Sequence, residues 1–540
     1  MHFRTRDLCG VLDRYKRIII YGTGNYAQQI YRRMVRHGLR EKIFCFVQSE
    51  SNASGPDLID EIPIITISEL DCNKTACVVL IAVSELYVDE IKQILLEYGY
   101  LNYVSLIEYV ADYKKSEEII CQLSTLDEYC EYIADWYIET DEGNLDRAAV
   151  VNELLTKRDA KNKKVNANLI VILCGYITMR SIKIINALNK RGFDIVLLDY
   201  CPNTFEWCLN SLQQTDVKRH KCCCIEEMLY WVLQYAPQVY FVEPRWGDCL
   251  WPTILLKIKN HLGKIVISLY DVLNDGYLDI PQIKLKTEKF ALENADGIVW
   301  RWFSKDYLES RGFKYKGESI QFLDYCADVY NTSSSKIEQD SQVLKLCMVN
   351  SIGDVYVETR ADYTDYTDAA KIEEILKVLG NRKDCIFHYY VGSLKEENIK
   401  LCKGYEKQYR NFKLFLSTEH DELIGRLKQY DYGCDLYTGG KWPSNDVSIG
   451  RYKGSCWDNC IRNTWFEYIN AGLPIVGTVP AKFLDYLQQF GIVVKMDISN
   501  IDIEYLKREK YSFKEKVEVA RKKLNMDRQI LRLIDFFKEI

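Results

Sequence analysis

Short apolar runs of four to eight residues, each followed by a helical stretch, recur along almost the whole chain, and this alternation restricts the fold more than any other feature. IIIYG, KIFCFV, CVVLIAV and YVSL form a first series between residues 16 and 106. NLIVILCGY, FDIVLLDY, VYFVEP, KIVISLYD and DGIVWRW form a second, and VLKLCMVN, CIFHYYVG, FKLFLS, YGCDLY and LPIVGT a third. Alternating strands and helices predict parallel, doubly wound α/β sheets. The 540 residues are enough for about three such domains. Between the first two series, residues 107–164 change texture to polar helix rich in Glu, Asp and Tyr, ending in TKRDAKNKK, which reads as an acidic helical connector. The expected parts are therefore 1–106, 107–164, 165–335 and 336–540.

Charge and cysteine usage exclude several function classes. Asp and Glu number 77 against 71 Lys and Arg, a formal charge of −6, which argues against a nucleic-acid binder with its basic face. Residues 1–47 nevertheless carry a basic excess, so a solvated face and a peripheral contact with an anionic membrane both stand as readings. The start has charges where a signal peptide needs an apolar run, and no apolar stretch approaches the ~20 residues of a spanning helix. The twenty cysteines sit mainly inside apolar strands and read as reduced thiols, so a cytoplasmic protein is expected. In HKCCC, residues 220–224, three consecutive Cys cannot easily close a tetrahedron because adjacent side chains diverge, and no matching C-x-x-C pair lies nearby; no metal site is expected.

Two segments carry candidate chemistry. In IIIYGTGNYAQQIYRRM, Gly22, Gly24 and Ala27 follow a strand and open a helix in the order G-x-G-x-x-A. That pattern lets the phosphate of a nucleotide or nucleotide sugar approach the backbone at a helix N-terminus, and it equally serves a plain βα corner. The following strand ends at Val47 and Gln48, with no acid there to hold a ribose; Glu50 comes two positions late. Near the other end, CWDNCIRNTWFEYINAGLPIVGT spaces Asn459, Asn463 and Glu467 at i, i+4 and i+8, then stops the helix at Gly472 with Pro474 beyond. A carboxylate so placed can accept two ribose hydroxyls, and Gly472 and Leu473 can bring backbone close to a diphosphate.

The run from Gly22 through FVQSES and VVLIAVSE resembles the small Rossmann-like domain that accompanies bacterial sugar-modifying and polysaccharide-assembly enzymes. FEYINAGLP resembles the donor-site helix of GT-B glycosyltransferases of the family-4 type, and ENADGIVWRWF and RSIKIINALNKRGFDIVLL are similar to parts of that family's first half. The resemblance implies a GT-B pair of doubly wound Rossmann-like domains behind the first domain. It also implies transfer of a sugar from a nucleotide-diphosphate donor to a glycan or lipid-linked acceptor in bacterial surface polysaccharide synthesis, with no further cofactor. Donor contacts would fall to Glu467, Asn463, Asn459, Arg462, Gly472 and Leu473. Asn459 stands where the family's E-x7-E pattern has its first Glu, and Thr464 where a basic residue is frequent; the diphosphate would then be met by Arg462, Arg451, Lys453 or Lys441. Candidate acceptor-side groups follow strands of the first half: Asp271, Asp275 and Arg245. Two alternatives remain: an NAD- or nucleotide-sugar-dependent oxidoreductase or epimerase centred on Gly22 to Ala27, and a non-catalytic assembly protein on a glycosyltransferase scaffold.

Overall fold

The computed structural model describes residues 5–49, 58–109, 122–140, 146–158, 165–175, 177–199, 212, 217–222, 225–244, 249–269, 272, 282–301, 305–310, 312–327, 342–350, 372–391, 396–416, 420–436, 448–449, 452–453, 461–477, 482–496 and 498–540. Three separate parallel sheets follow one another along the chain. The first holds β1 (Arg17–Tyr21), β2 (Ile43–Gln48), β3 (Leu58–Ile59), β4 (Ile62–Thr66), β5 (Cys77–Ile81) and β6 (Tyr103–Ser105), in the order β3-β4-β2-β1-β5-β6. Only the short β3 runs antiparallel to its neighbour.

The second sheet comprises β7 (Asn166–Cys174), β8 (Asp194–Asp199), β9 (Lys218–Lys221), β10 (Pro237–Glu243), β11 (Lys264–Leu269), β12 (Gly297–Trp300) and β13 (Glu318–Gln321), in the order β13-β12-β11-β10-β7-β8-β9. The third comprises β14 (Leu344–Asn350), β15 (Cys385–Val391), β16 (Phe412–Leu416), β17 (Tyr432–Asp435), then β20 (Ile475–Gly477) and β21 (Val493–Lys495), in the order β16-β15-β14-β17-β20-β21. A small antiparallel pair, β18 (Ser448–Ile449) and β19 (Tyr452–Lys453), stands apart. In each sheet the winding direction reverses beside the first strand: at β1/β5, β7/β10 and β14/β17. Such reversals open a crevice at the strands' carboxyl ends, where ligands bind in doubly wound folds.

Helices Leu126–Thr140 and Arg147–Arg158 cover the segment expected as a connector. They are packed rather than free: Tyr129, Cys130, Ile133, Ala134, Val150 and Leu154 are buried in the same core as the second sheet. Tyr132 donates to Glu226 Oε1 at 3.0 Å on helix Ile225–Gln234. The acidic face meets solvent while the apolar stripe adds a layer to the second unit.

The chain passes between the second and third units twice, and the two passages lie side by side. It leaves the second unit through Cys326 and returns through Asn525, which form a parallel bridge. Cys326 donates its N–H to Leu524 and accepts from Met526, each at 2.7 Å. Helix Met526–Glu539 then lies on the second unit, with Phe537 edge-on to Phe241 and Phe536 over Gly297. One apolar core therefore runs through both units, each buried Leu, Ile or Phe contributing about 1.5–3 kcal/mol.

A Cβ at Gly297 would stand 2.7 Å from Phe536 Cζ and 3.2 Å from Val266 Cγ2. Gly297→Val is expected to lower stability by about 1–3 kcal/mol through overpacking, read as a lower urea midpoint with an unchanged slope.

Candidate active site

Helix Asn463–Asn470 connects β17 to β20 in the third unit, and its residues join the two units chemically. It ends by backbone closure: Gly472, at φ +78°, donates to Ile469 O at 3.0 Å, and Leu473 donates to Tyr468 O at 2.8 Å. Pro474 cannot continue the ladder. Both N–H groups expected to approach a diphosphate thus satisfy the helix's own last carbonyls, and Leu473 is buried. Trp465, Phe466, Tyr468 and Ile469 are buried as well. Tyr468 lies against Gly433, where a Cβ would collide with the ring. Its hydroxyl donates to Cys434 O at 2.9 Å and accepts from Val349 N at 2.8 Å, tying the helix to β14 and β17 on either side of the crevice.

Glu467 is buried, and both carboxylate oxygens are engaged. Lys183 Nζ, from helix Met179–Lys190 of the second unit, donates to Oε1 at 3.0 Å. Asn470 Nδ2 donates to Oε2 at 2.7 Å, and His420 Nε2 lies 3.1 Å from the same oxygen. Burial alone would raise the Glu467 pKa, but Lys183, His420 and Asn470 reverse that and hold the carboxyl below the ordinary range. For His420 burial favours the neutral ring, yet Glu467, with Asp421 beside Nδ1, raises its pKa above the usual value. The expectation for Glu467 was a carboxylate offered to a ribose; here Lys183, His420 and Asn470 occupy it.

A second set of charges lies beside it. Arg301, directly after β12, pairs with Asp324 and donates to Ile461 O at 2.9 Å and to Asn463 Oδ1 at 2.8 Å. Asn463, expected at the donor, is thus bound by the second unit at the first turn of the helix. Arg180 Nη1 contacts Glu243 Oε1 and Ser268 Oγ, both at 2.7 Å, and Arg180 Nε lies 3.4 Å from Asp324 Oδ1. Arg180, Glu243, Ser268, Arg301 and Asp324 are all buried, which is sustainable only because opposite charges and hydrogen bonds compensate one another.

Arg462 is the more open cation. Its Nη1 sits 2.8 Å from Asp435 Oδ1, at the carboxyl end of β17, while its side chain keeps 22% of its surface exposed. Trp465 Nε1 donates to the other oxygen of Asp435 at 2.7 Å. The arginine is therefore held at the β14/β17 crevice by an aspartate that is itself fixed.

Arg245, Asp271, Asp275 and Asn459 lie outside the described residues, as do Arg451 and Lys441. The strands before the first three, β10 and β11, end at Glu243 and Leu269 on the same sheet edge as Arg301. In the first unit Gly22 has φ +116°, and a Cβ there would stand 2.9 Å from Ala82 O, so the turn crosses β5 with no room for a side chain. Gly24 precedes helix Asn25–Arg36, and Ala27 is buried in the core. His220 stacks on Trp231 with ring centroids 3.6 Å apart, and burial lowers its pKa to about 4, with help from Lys218. Among the described residues no group of three or more His, Cys, Asp or Glu could hold a metal ion, and no helix is long and apolar enough to cross a membrane. Sequence reasoning missed Lys183, Arg180, Arg301 and His420. The available signal was a Lys between Ile182 and Ile184 on a helix otherwise patterned for burial.

Two consecutive doubly wound units, joined at the carboxyl edge of the first and recrossed by the helix that follows the second, define the architecture. The pair is a GT-B fold. Solved structures similar to this chain include sucrose-phosphate synthase from Thermosynechococcus elongatus, at 10% identity over 69% of this chain and 98% of that one, with a TM-score of 0.44. The lipopolysaccharide outer core galactosyltransferase WaaB is 10% identical over 68% and 99%, with a TM-score of 0.41. TcCGT1 in complex with UDP is 8% identical over 69% and 100%, with a TM-score of 0.42. No protein-family profile and no curated protein matches the chain.

Lys183→Met leaves Glu467 short of its cation across the GT-B seam and is expected to cost about 3–5 kcal/mol, with Lys183→Met/Glu467→Gln recovering most of it. Urea unfolding of both variants and of the single Glu467→Gln measures the coupling. His420, whose pKa is raised above 6.5 on folding, contributes stability that is fully present below pH 6.5 and lost as pH rises through the folded value. His420→Gln should therefore remove part of the decline in wild-type stability above pH 6.5; unchanged pH profiles would contradict the assignment.

Proposed function

We propose that the chain is a glycosyltransferase that moves a sugar from a nucleotide-diphosphate donor to a glycan or lipid-linked acceptor, in bacterial surface polysaccharide synthesis. The observation that carries this reading is Arg462, fixed by Asp435 at the carboxyl end of β17 and partly open at the crevice of the third sheet. FEYINAGLP, the segment resembling a family-4 donor helix, begins four residues later. Glycosyl transfer needs positive charge where the diphosphate departs. Arg462 supplies it from a base fixed by Asp435.

Glu467 then receives the ribose when the two GT-B units part. Among the described residues Lys183 is the group on its Oε1, so withdrawal of the second unit's helix frees an acceptor oxygen while His420 and Asn470 keep the carboxylate oriented and ionised. Arg245, Asp271 and Asp275 follow strands that end on the facing edge and provide the acceptor side, with one aspartate as base if configuration inverts. Closure over the bound donor excludes water and limits hydrolysis.

The test is a panel of UDP-, GDP- and ADP-sugars assayed for transfer or hydrolysis, with nucleotide binding followed by thermal shift. A ligand at 100 times its dissociation constant adds about 2.7 kcal/mol. Arg462→Ala should weaken nucleotide binding about 10- to 150-fold, the loss of a charge-assisted hydrogen bond; because it also leaves the buried Asp435 without its cation, urea unfolding of the free variant is measured alongside to separate lost binding from lost stability. A panel with neither turnover nor a shift overturns the reading.

A further inference from the structure

We propose that Cys72 and Cys77 form a reversible intramolecular disulfide, making residues 72–77 of the first unit a modification site for hydroperoxides. The two sulfurs lie 3.6 Å apart. Asn73 folds the intervening segment back on itself: Thr75 donates both its N–H, at 3.1 Å, and its hydroxyl, at 2.8 Å, to Asn73 Oδ1, and Ala76 N–H donates to Asn73 O at 3.0 Å. This turn sets one cysteine against the other at the start of β5. An S–S bond of about 2.05 Å requires the sulfurs to close by about 1.5 Å, a movement the turn can supply from its exposed side.

The two thiols differ in the way a two-step oxidation needs. Among the thirteen described cysteines, Cys72 is the one that is not buried. Cys77 is buried and its thiol is pushed up to about 12, by burial first and then by Cys72, so it stays protonated and waits. Tyr100, whose hydroxyl donates to Leu70 O at 3.0 Å, walls the pair at 3.7 Å from Cys72 Sγ. The Cys72 thiolate attacks a hydroperoxide oxygen, breaking the O–O bond; the sulfur becomes a sulfenic acid, and the departing alkoxide or hydroxide takes up a proton. Cys77 sulfur then attacks Cys72 sulfur, and its proton leaves with the displaced hydroxide as water. Two thiols and one hydrogen peroxide give one disulfide and two waters. Disulfides of this kind in a reducing compartment are transient and redox-sensing rather than structural.

Full-length protein is treated with one equivalent of hydrogen peroxide, denatured, alkylated, digested and mapped by mass spectrometry. Alkylation of Cys72 should fall at least about ten-fold relative to Cys45, a Cys72–Cys77 link lighter by two hydrogens should appear, and dithiothreitol should reverse both. In Cys77→Ser, Cys72 should instead yield a sulfenic acid trapped by dimedone. The proposal is overturned if Cys72 remains fully alkylated while other cysteines are consumed, or if Cys72 links to Cys45 instead.

Discussion

A lysine buried in one unit and a glutamate buried in the next, Lys183 and Glu467, meet at 3.0 Å, and the relation between the two GT-B units depends on that meeting. Neither charge could be held out of water alone, because desolvating an ion costs several kcal/mol. Each unit therefore brings half of a compensated pair, and separating the units requires water or a ligand to replace the missing half. Arg301 repeats the arrangement a turn away, with Asp324 behind it and Ile461 and Asn463 in front. The seam is polar and ionic where the strands' carboxyl ends approach helix Asn463–Asn470, and apolar where helix Met526–Glu539 returns across the second unit.

The same physics assigns different duties to residues that look equivalent in one dimension. Asn463, Glu467 and Arg462 fall within six positions, yet Asn463 is gripped by the second unit and Glu467 is shared between units. Arg462 faces inward to its own sheet through Asp435. Gly472 and Leu473, at the far end, are spent on closing the helix. The open end of this helix is its first turn, where Arg462 sits, and not its last.

Much of the architecture could be read directly. Runs such as NLIVILC, KIVISL and LKLCMV are central strands, apolar on both faces because helices cover both. The helix carrying Glu467 was bounded by Gly472 and Pro474, residues with backbone requirements of their own. The polar strands KRHK and ESIQ were not legible, since each is an edge strand, paired on one side and half exposed. The packing of helices Leu126–Thr140 and Arg147–Arg158 was hidden for a related reason: an acidic outer face dominates the composition while a narrow apolar stripe does the packing. Lys183 left almost no trace. Its partner is 284 residues away, and no local pattern encodes a pairing over that separation.

The returning helix also orders events during synthesis. The first unit closes its two cores with residues between Leu8 and Tyr109, so it can fold as soon as it leaves the ribosome. The second unit cannot. Gly297 and Phe241 wait for Phe536 and Phe537, which emerge only after the entire third unit has been made. Until then a patch of the second sheet's covering layer lies bare, and the third unit, once folded, delivers the helix that covers it. Maturation of the pair is therefore sequential: an independent leading module, then two units that finish folding only together.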